Sequence, residues 1–336
     1  MWLTGWQYRK KINLTGSVGA GTNYQVLLKV GESSGASGYD FHVNGHSANF
    51  PSGKNQGGDL RFTANDGITL LDFWVESVAG TSPNRVANIW VEVSADLGTN
   101  QSIYCYYGNP NATNVSNGDN TFLFFDDFEG SSLDTTKWDS GITVLSYGNS
   151  IINFQSSINN HRYLIYKLAT YSDVKLVARQ YDTSIYPVIG LVSRKSSSSG
   201  SVIDSLYYNR IYNFNATDSY HEIRKRVSGA ESAVVQNTLT NFKANSWIHQ
   251  ELLAYGSNLK SYFYRESDGF SHTVSATDTS HTSGYVGLFA EWTGKNIYCD
   301  WFFVAKYVSP EPAFSSAGNE EIFSGIVARR GLIMSM

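Results

Sequence analysis

FLFFDDFEGSSLDTTKW, residues 122–138, decides how this chain is divided. Phe122, Leu123, Phe124 and Phe125 form a short apolar run of the kind that becomes a buried strand. Asp126, Asp127 and Phe128 follow, and Glu129-Gly130-Ser131-Ser132 supplies the turn chemistry that lets a chain reverse before Trp138. Just upstream, Asn109 to Asn120 (NPNATNVSNGDN) is polar, rich in turn formers and without periodicity. A linker leading into a fresh apolar strand marks the start of a second domain.

A chain of 336 residues is long enough for two domains, each with a sizeable core. The formal net charge is -4 and only 16% of residues are charged, which excludes an electrostatic nucleic-acid binder, since such a protein needs a basic surface to displace counterions. Aromatic residues make up 14%, with Ser, Thr, Asn and Gly crowding the intervals between apolar runs, a composition that fits an all-β chain with many turns and resembles extracellular proteins. No apolar stretch approaches the ~20 residues that span a bilayer. No signal peptide is visible, because Met1 is followed at once by Trp2-Leu3-Thr4-Gly5-Trp6, which reads as folded domain. Either a leader has been removed, or the protein reaches its site without one, as a virion component does. Cys105 and Cys299 fall in different expected domains, as two buried thiols or an interdomain disulfide.

Residues 1–109 read as a first β-sandwich, with strands at Trp6 to Leu14, Tyr24 to Val30, Asp59 to Thr63, Leu70 to Glu76, Val86 to Val93 and Ser102 to Tyr107. Ile89, Val91 and Val93 alternate with Asn88, Trp90 and Glu92, the period-two signature of a half-buried strand. Gly31 to Gly58 reads as a long loop, in which His42 and His46 have metal-ligand spacing across a turn sequence that favours a solvated loop. Residues 110–120 are the linker. Residues 121–310 then carry candidate strands every ten to fifteen residues, including Tyr163 to Leu168, Asp173 to Tyr181, Ser205 to Phe214, Trp247 to Tyr255, Asn258 to Arg265, Gly284 to Ala290 and Asp300 to Tyr307. That rhythm predicts a jelly roll. Residues 311–336 form a C-terminal tail whose Ile322, Phe323, Ile326, Leu332 and Ile333 are apolar and suited to packing on a neighbouring subunit.

Two family resemblances add to this. Phe124, Asp126, Asp127, Phe128, Gly130, Leu133, Asp134 and Trp138 match the opening motif F-x-D-[ED]-F-x-G-x-x-L-D-x-x-x-W of concanavalin A-like domains of the laminarinase and laminin-G type. Gly284-Tyr285-Val286-Gly287-Leu288 and Asp300-Trp301-Phe302-Phe303-Val304 resemble that family's last two strands. The first unit, through Trp6-x-Tyr8-Arg9-Lys10-Lys11-Ile12, Asp59-Leu60-Arg61-Phe62, Leu71-x-Phe73-Trp74-x-Glu76, Ile89-Trp90-Val91-x-Val93 and Tyr104-x-Tyr106-Tyr107-Gly108-Asn109, resembles an uncharacterised domain family that often precedes concanavalin A-like domains in archaeal and bacterial surface proteins. The expected fold is all-β: two tandem antiparallel β-sandwiches, the second a concanavalin A-like jelly roll.

The concanavalin A-like resemblance implies a structural calcium ion held by Asp127, the carbonyl of Gly130 and Asp300, oxygen donors that suit a hard cation. The family's hydrolases carry E-x-D-x-x-E on one strand. The nearest match here, Glu266-Ser267-Asp268-Gly269-Phe270-Ser271, lacks the second Glu and falls in a turn sequence, so the chain reads as non-catalytic. Glu222, Glu251 and Glu291 are scattered and support a hydrolase only if the fold brings carboxylates together. Glycan recognition needs exposed rings for sugar stacking, and the candidates are Tyr207, Tyr208, Tyr212, Trp247, Tyr262, Tyr264 and Trp292. The expected function is adhesion or glycan recognition on a cell or virion surface, with a glycan or surface protein as partner. The alternative is a structural subunit of a virion or surface filament, locked to homo- or hetero-oligomeric neighbours by its tail.

Overall fold

The computed structural model describes residues 1–183, 188–201, 203–213, 218–240 and 246–324. The protein is all-β and consists of two compact units, Phe122–Glu311 and a first unit that joins Met1–Thr121 to the chain from Pro312 onward. The first unit holds β1 (Tyr8–Thr15), β2 (Tyr24–Gly31), β3 (Phe41–His42), β4 (Arg61–Thr63), β5 (Leu70–Leu71), β6 (Phe73–Ala79), β7 (Val86–Val93) and β8 (Gln101–Tyr107). The second holds β9 (Phe124–Asp126), β10 (Trp138–Ser140), β11 (Ile142–Gly148), β12 (Ile151–Ser156), β13 (His161–Tyr171), β14 (Val174–Asp182), β15 (Val188–Lys195) and β16 (Leu206–Asn213). It continues with β17 (Ser219–Val227), β18 (Ala230–Leu239), β19 (Ile248–Tyr255), β20 (Asn258–Arg265), β21 (Ser271–Thr277), β22 (Gly284–Glu291) and β23 (Ile297–Lys306). The last strand, β24 (Ala313–Ile322), lies in the first unit.

In the first unit, sheets of order β24-β1-β8-β4-β5 and β3-β2-β7-β6 enclose a core that includes Ile12, Val26, Leu28, Phe62, Phe73, Ile89, Val91 and Ile103. The pairings are antiparallel except β2 with β3. The segment expected as a free tail is a structural strand instead. β24 pairs antiparallel with β1, from Thr15 opposite Ala313 to Tyr8 opposite Ile322. Three contacts reinforce the pairing: Arg9 reaches Glu321 at 2.7 Å, and Glu320 accepts the Tyr107 hydroxyl at 2.8 Å and faces His46 Nδ1 at 2.9 Å. His46 thus anchors the Gly31–Gly58 segment to the sheet, while His42 Nδ1 accepts from the Asn44 amide at 3.2 Å, so the two imidazoles serve separate local contacts.

The second unit is a jelly-roll sandwich of a seven-stranded sheet, β10-β13-β22-β15-β16-β17-β18, and an eight-strand arrangement, β11-β12-β23-β14-β19-β20-β21 with β9 on β23. Its main core joins Leu164, Ile189, Leu191, Ile211, Val286 and Leu288 of the first sheet to Phe154, Leu176, Ala178, Leu252, Phe302 and Val304 of the second. The opening stretch is a self-contained staple. β9 pairs with β23, Phe302 opposite Asp126. The Asp126 carboxylate accepts the Trp138 indole N–H at 2.6 Å and the Phe128 amide at 2.8 Å, which turns the chain back through Phe128 at φ 53°. Trp138 and Phe128 are fully enclosed, so burial of both rings and satisfaction of a half-buried carboxylate depend on one short turn. Cys105 and Cys299 are buried thiols in separate units, not joined in a disulfide.

Candidate functional site

Two groups of side chains in the second unit bear on function, one on the outer face of each sheet. On the seven-stranded sheet, strand register builds a ring of charge. Glu222, Arg224 and Arg226 occupy every second position of β17, so they share a face. Arg210 of β16 lies opposite Glu222, Glu231 of β18 opposite Arg226, and Glu291 of β22 opposite His161 of β13. The contacts close on themselves. His161 Nε2 meets Glu291 at 3.0 Å, and Glu291 takes Arg210 Nη1 at 2.5 Å. Arg210 also donates to Glu222, which accepts Arg224 at 3.1 Å. Arg224 donates to Glu231 at 2.7 Å, Glu231 also takes Arg226, and Arg226 donates to His161 Nδ1 at 2.9 Å. The His161 ring thus faces a guanidinium through Nδ1 and a carboxylate through Nε2, and three carboxylates stand against three guanidiniums around it.

Of the scattered carboxylates, Glu222 and Glu291 converge on Arg210 while Glu251 lies on β19 of the other sheet, and the ring shows what the converged pair can do. Burial favours the neutral acid at Glu291, yet the His161 hydrogen bond and Arg210 outweigh it and hold the carboxyl below its ordinary range. Burial also opposes ionisation at Glu231, where Tyr208, His161, Arg224 and Arg226 overcome it. Glycoside hydrolysis needs one of two carboxyls kept protonated as the acid. Each carboxylate of this ring is paired with at least one guanidinium, so the arrangement suits a rigid structural lattice.

The Glu266 motif is equally unsuited to acid chemistry. It sits in the turn after β20, where Asp268 is held by Arg265 at 2.6 and 2.8 Å. Glu266 accepts a bidentate pair from Arg179 at 2.6 and 2.8 Å and meets His249 at 2.7 Å. Burial alone would raise its pKa, but the Arg179 and His249 contacts bring it down to about 2.

That same Glu266 borders the second group, an open cleft of about 500 Å³ on the outer face of the eight-strand sheet, lined by Tyr181, Ser246, Trp247, Glu266, Ser267 and Tyr298. Tyr181 lies 5.5 Å from Trp247 and 5.7 Å from Tyr298 between ring centroids, and the Arg179 guanidinium sits 4.0 Å over the Trp247 ring. A bulge makes this possible. Arg179 pairs with Trp301 and Gln180 with Cys299, so Asp300 is an extra residue on β23, and its carboxylate meets Arg179 Nη1 at 2.9 Å.

Of the candidate sugar-stacking residues, Trp247 lines the cleft and Tyr264 stands exposed on the same face, its ring 6.3 Å from His249. Tyr207, Tyr208 and Tyr212 are corrections: all are buried, with Tyr207 donating to Asp278 at 2.6 Å and Tyr208 stacked on Phe289 at 4.8 Å, so none presents a ring to solvent. Trp292 is half-buried against the apolar cluster beneath the charge ring. Tyr181, Tyr298 and Arg179 carry no distinguishing signal in the sequence. The calcium set fits poorly, because Arg179 already places a positive charge on Asp300 and the inward carboxylate of the opening motif is Asp126. Among the described residues no group of three or more His, Cys, Asp or Glu could hold a metal ion. Ile322 and Phe323 are exposed at the end of β24, with Phe323 against Trp2 at 5.5 Å; Ile326, Leu332 and Ile333 lie outside the described residues.

Comparison with known proteins adds the following. Residues 56–141 match a domain family of unknown function, DUF2341. The match starts later than the sequence resemblance and runs on through the opening strand and Trp138 of the second unit. No curated protein matches the chain. Among solved structures, the carbohydrate-binding module CBM66 of Bacillus subtilis is similar at 16% identity, over 50% of this chain and 96% of that one, with a TM-score of 0.39. Lectin II from Ulex europaeus is similar at 10% identity, over 55% and 98%, with a TM-score of 0.41. A xylan beta-1,4-xylosidase from Bacillus halodurans C-125 is similar at 9% identity, over 73% and 52%, with a TM-score of 0.42. Among the described residues no helix is long and apolar enough to cross a membrane.

Proposed function

We propose that the second sandwich is a non-catalytic glycan-recognition module, carried by a protein that acts in adhesion at a cell or virion surface. The observation that carries this is the cluster of Tyr181, Trp247 and Tyr298 around one open cleft, with Ser246, Ser267 and Glu266 at its border. Rings offer flat apolar faces to the C–H side of a sugar, while hydroxyls and a carboxylate that stays ionised take its hydroxyl groups. Glu266 and its Arg179 and His249 partners are fixed by mutual hydrogen bonds, so the polar side of the cleft is ordered before a ligand arrives. The test is binding of the full chain to a panel of immobilised glycans, repeated with Trp247→Ala and, as a control away from the cleft, Tyr104→Phe. Loss of at least tenfold in affinity for Trp247→Ala alone supports the reading; equal binding by both variants, or no glycan bound by the full chain, refutes it.

A second reading, a structural subunit of a virion or filament, is favoured by the exposed Ile322 and Phe323 at the end of β24. Light scattering of the full chain beside a chain ending at Ser324 tests it: assembly by the full chain only supports an interface built from the last residues, and two monomers argue against one.

A further inference from the structure

The eight-strand sheet carries a second cleft on the face that holds the first. It measures about 530 Å³ and is lined by residues that include Leu253, Tyr255, Lys260, Ser275 and Tyr307. Strand register shows that both clefts face the same way. Leu253 lies opposite Lys260 and Lys260 opposite Ser275, just as His249 lies opposite Tyr264, and all are in phase with Trp247 and Tyr255 along β19. Trp247, directly before β19, and Tyr255, its last residue, lie eight residues apart, a span of about 26 Å. Between them the same phase brings up His249, Glu251, Tyr262 and Tyr264, of which Tyr264 is exposed and the other three half-buried. At the far end Tyr255 and Tyr307 meet edge to face at 6.1 Å, a ring pair comparable to Tyr181 and Trp247 at the near end.

The charges along this track nearly balance: Arg179, Lys175 and Lys260 stand against Glu266, Asp300, Glu311 and Glu251, with Lys260 exposed on the wall of the second cleft. Arg179 is held by Glu266 and Asp300, His249 by Glu266, and Lys175 by Glu311 at 2.6 Å. A face with rings at both ends, polar groups between and nearly balanced charge fits a neutral, extended polymer better than a single terminal sugar or a polyanion.

We infer that the ligand is a neutral, unbranched polysaccharide chain lying along β19, engaging the Trp247 cleft and the Tyr255–Tyr307 cleft together. This rests on the glycan-binding reading above and goes further, since it assigns a second site, a direction and a class of ligand. Two linked sites gain from effective concentration, so affinity should rise by roughly 100-fold once a chain is long enough to reach both.

The experiment is calorimetric titration of the full chain with β-1,4-linked gluco- and manno-oligosaccharides from disaccharide to octasaccharide, beside polygalacturonate as a charged polymer. The expected result is an affinity that climbs with length and then levels for the neutral series of at least one sugar, with weaker binding of polygalacturonate. Tyr307→Ala should abolish the gain with length and leave the shortest ligands unaffected. Ser275→Trp, which fills the second cleft from an exposed position and keeps both tyrosines, should do the same. Binding that is lost in Trp247→Ala but indifferent to length, Tyr307→Ala and Ser275→Trp overturns the two-cleft inference and leaves the single-site reading standing. Stronger binding of polygalacturonate overturns the neutral assignment. No binding of any oligosaccharide in the series overturns the inference, and the glycan panel then decides whether the single-site reading falls with it.

Discussion

Acidification should loosen the second sandwich through one histidine. His221 of β17 is fully buried beside Phe263, with Nδ1 3.0 Å from His272 Nδ1 and Nε2 2.7 Å from Ser261 Oγ, which also accepts Asn209 Nδ2 at 2.6 Å. Burial, with a smaller contribution from His272, lowers its pKa from 6.5 to about 3. The folded imidazole therefore stays neutral at pH values where the unfolded chain takes up a proton. Stability from this group is intact above pH 6.5 and falls as pH drops toward about 3, the direction linkage requires when the unfolded state binds more protons. At 1.36 kcal/mol per pH unit, the loss between neutrality and about pH 4.5 is roughly 2–3 kcal/mol. The perturbation is His221→Gln, which removes the titration and keeps a polar side chain near Ser261. The assay is urea unfolding of wild type and variant at both pH values, because carboxylates titrating elsewhere cancel in the comparison. The variant should lose less stability on acidification by that amount. An equal loss in both proteins would refute the assignment, and would mean that the site admits a proton while folded.

Three other outcomes are expected. Asp126→Ala leaves the Trp138 indole and the Phe128 amide without their acceptor inside a closed turn, and should cost the second unit about 2–3 kcal/mol in chemical denaturation, whereas Asp127→Ala should cost less than half as much. A chain ending at Ala317 removes half of β24 with Glu320 and Glu321, which opens the β1 edge; it should aggregate or melt at lower temperature than a chain ending at Ser324 in a thermal scan. Glu222→Gln removes the negative charge shared by Arg210 and Arg224 and turns an amide NH2 donor toward one guanidinium; it should destabilise by about 3–5 kcal/mol, measured as a fall in urea midpoint, and an unchanged midpoint would show that the charge ring relaxes into other pairings.

Much of the architecture is legible without coordinates, because a strand buried on one face writes period-two alternation into the chain. Val86–Val93 and Asn258–Arg265 fall where their apolar residues place them, and the polar linker before Phe122 marks the boundary between units. Among the strands that escape notice, Ala230–Leu239 and Ser271–Thr277 are sheet-edge strands whose residues are mostly polar and exposed, so no apolar period betrays them. The tail misleads for a related reason: Ala313–Ile322 is half-polar edge strand, and only its partner β1, about three hundred residues earlier, shows where it belongs.

The site divides along the same line. Composition and the departure from the E-x-D-x-x-E pattern could be read directly, because charge density and a local spacing are properties of the chain itself. Trp247 could be named from sequence, but not the company of Tyr181, Tyr298 and Arg179, which comes from three strands and a bulge at Asp300. Likewise Glu222, Glu231 and Glu291 are unremarkable until register sets them around Arg210, Arg224 and Arg226. Local sequence determines which face of a strand a residue occupies; only the tertiary pairing of distant strands decides what stands beside it, and binding depends on that neighbourhood.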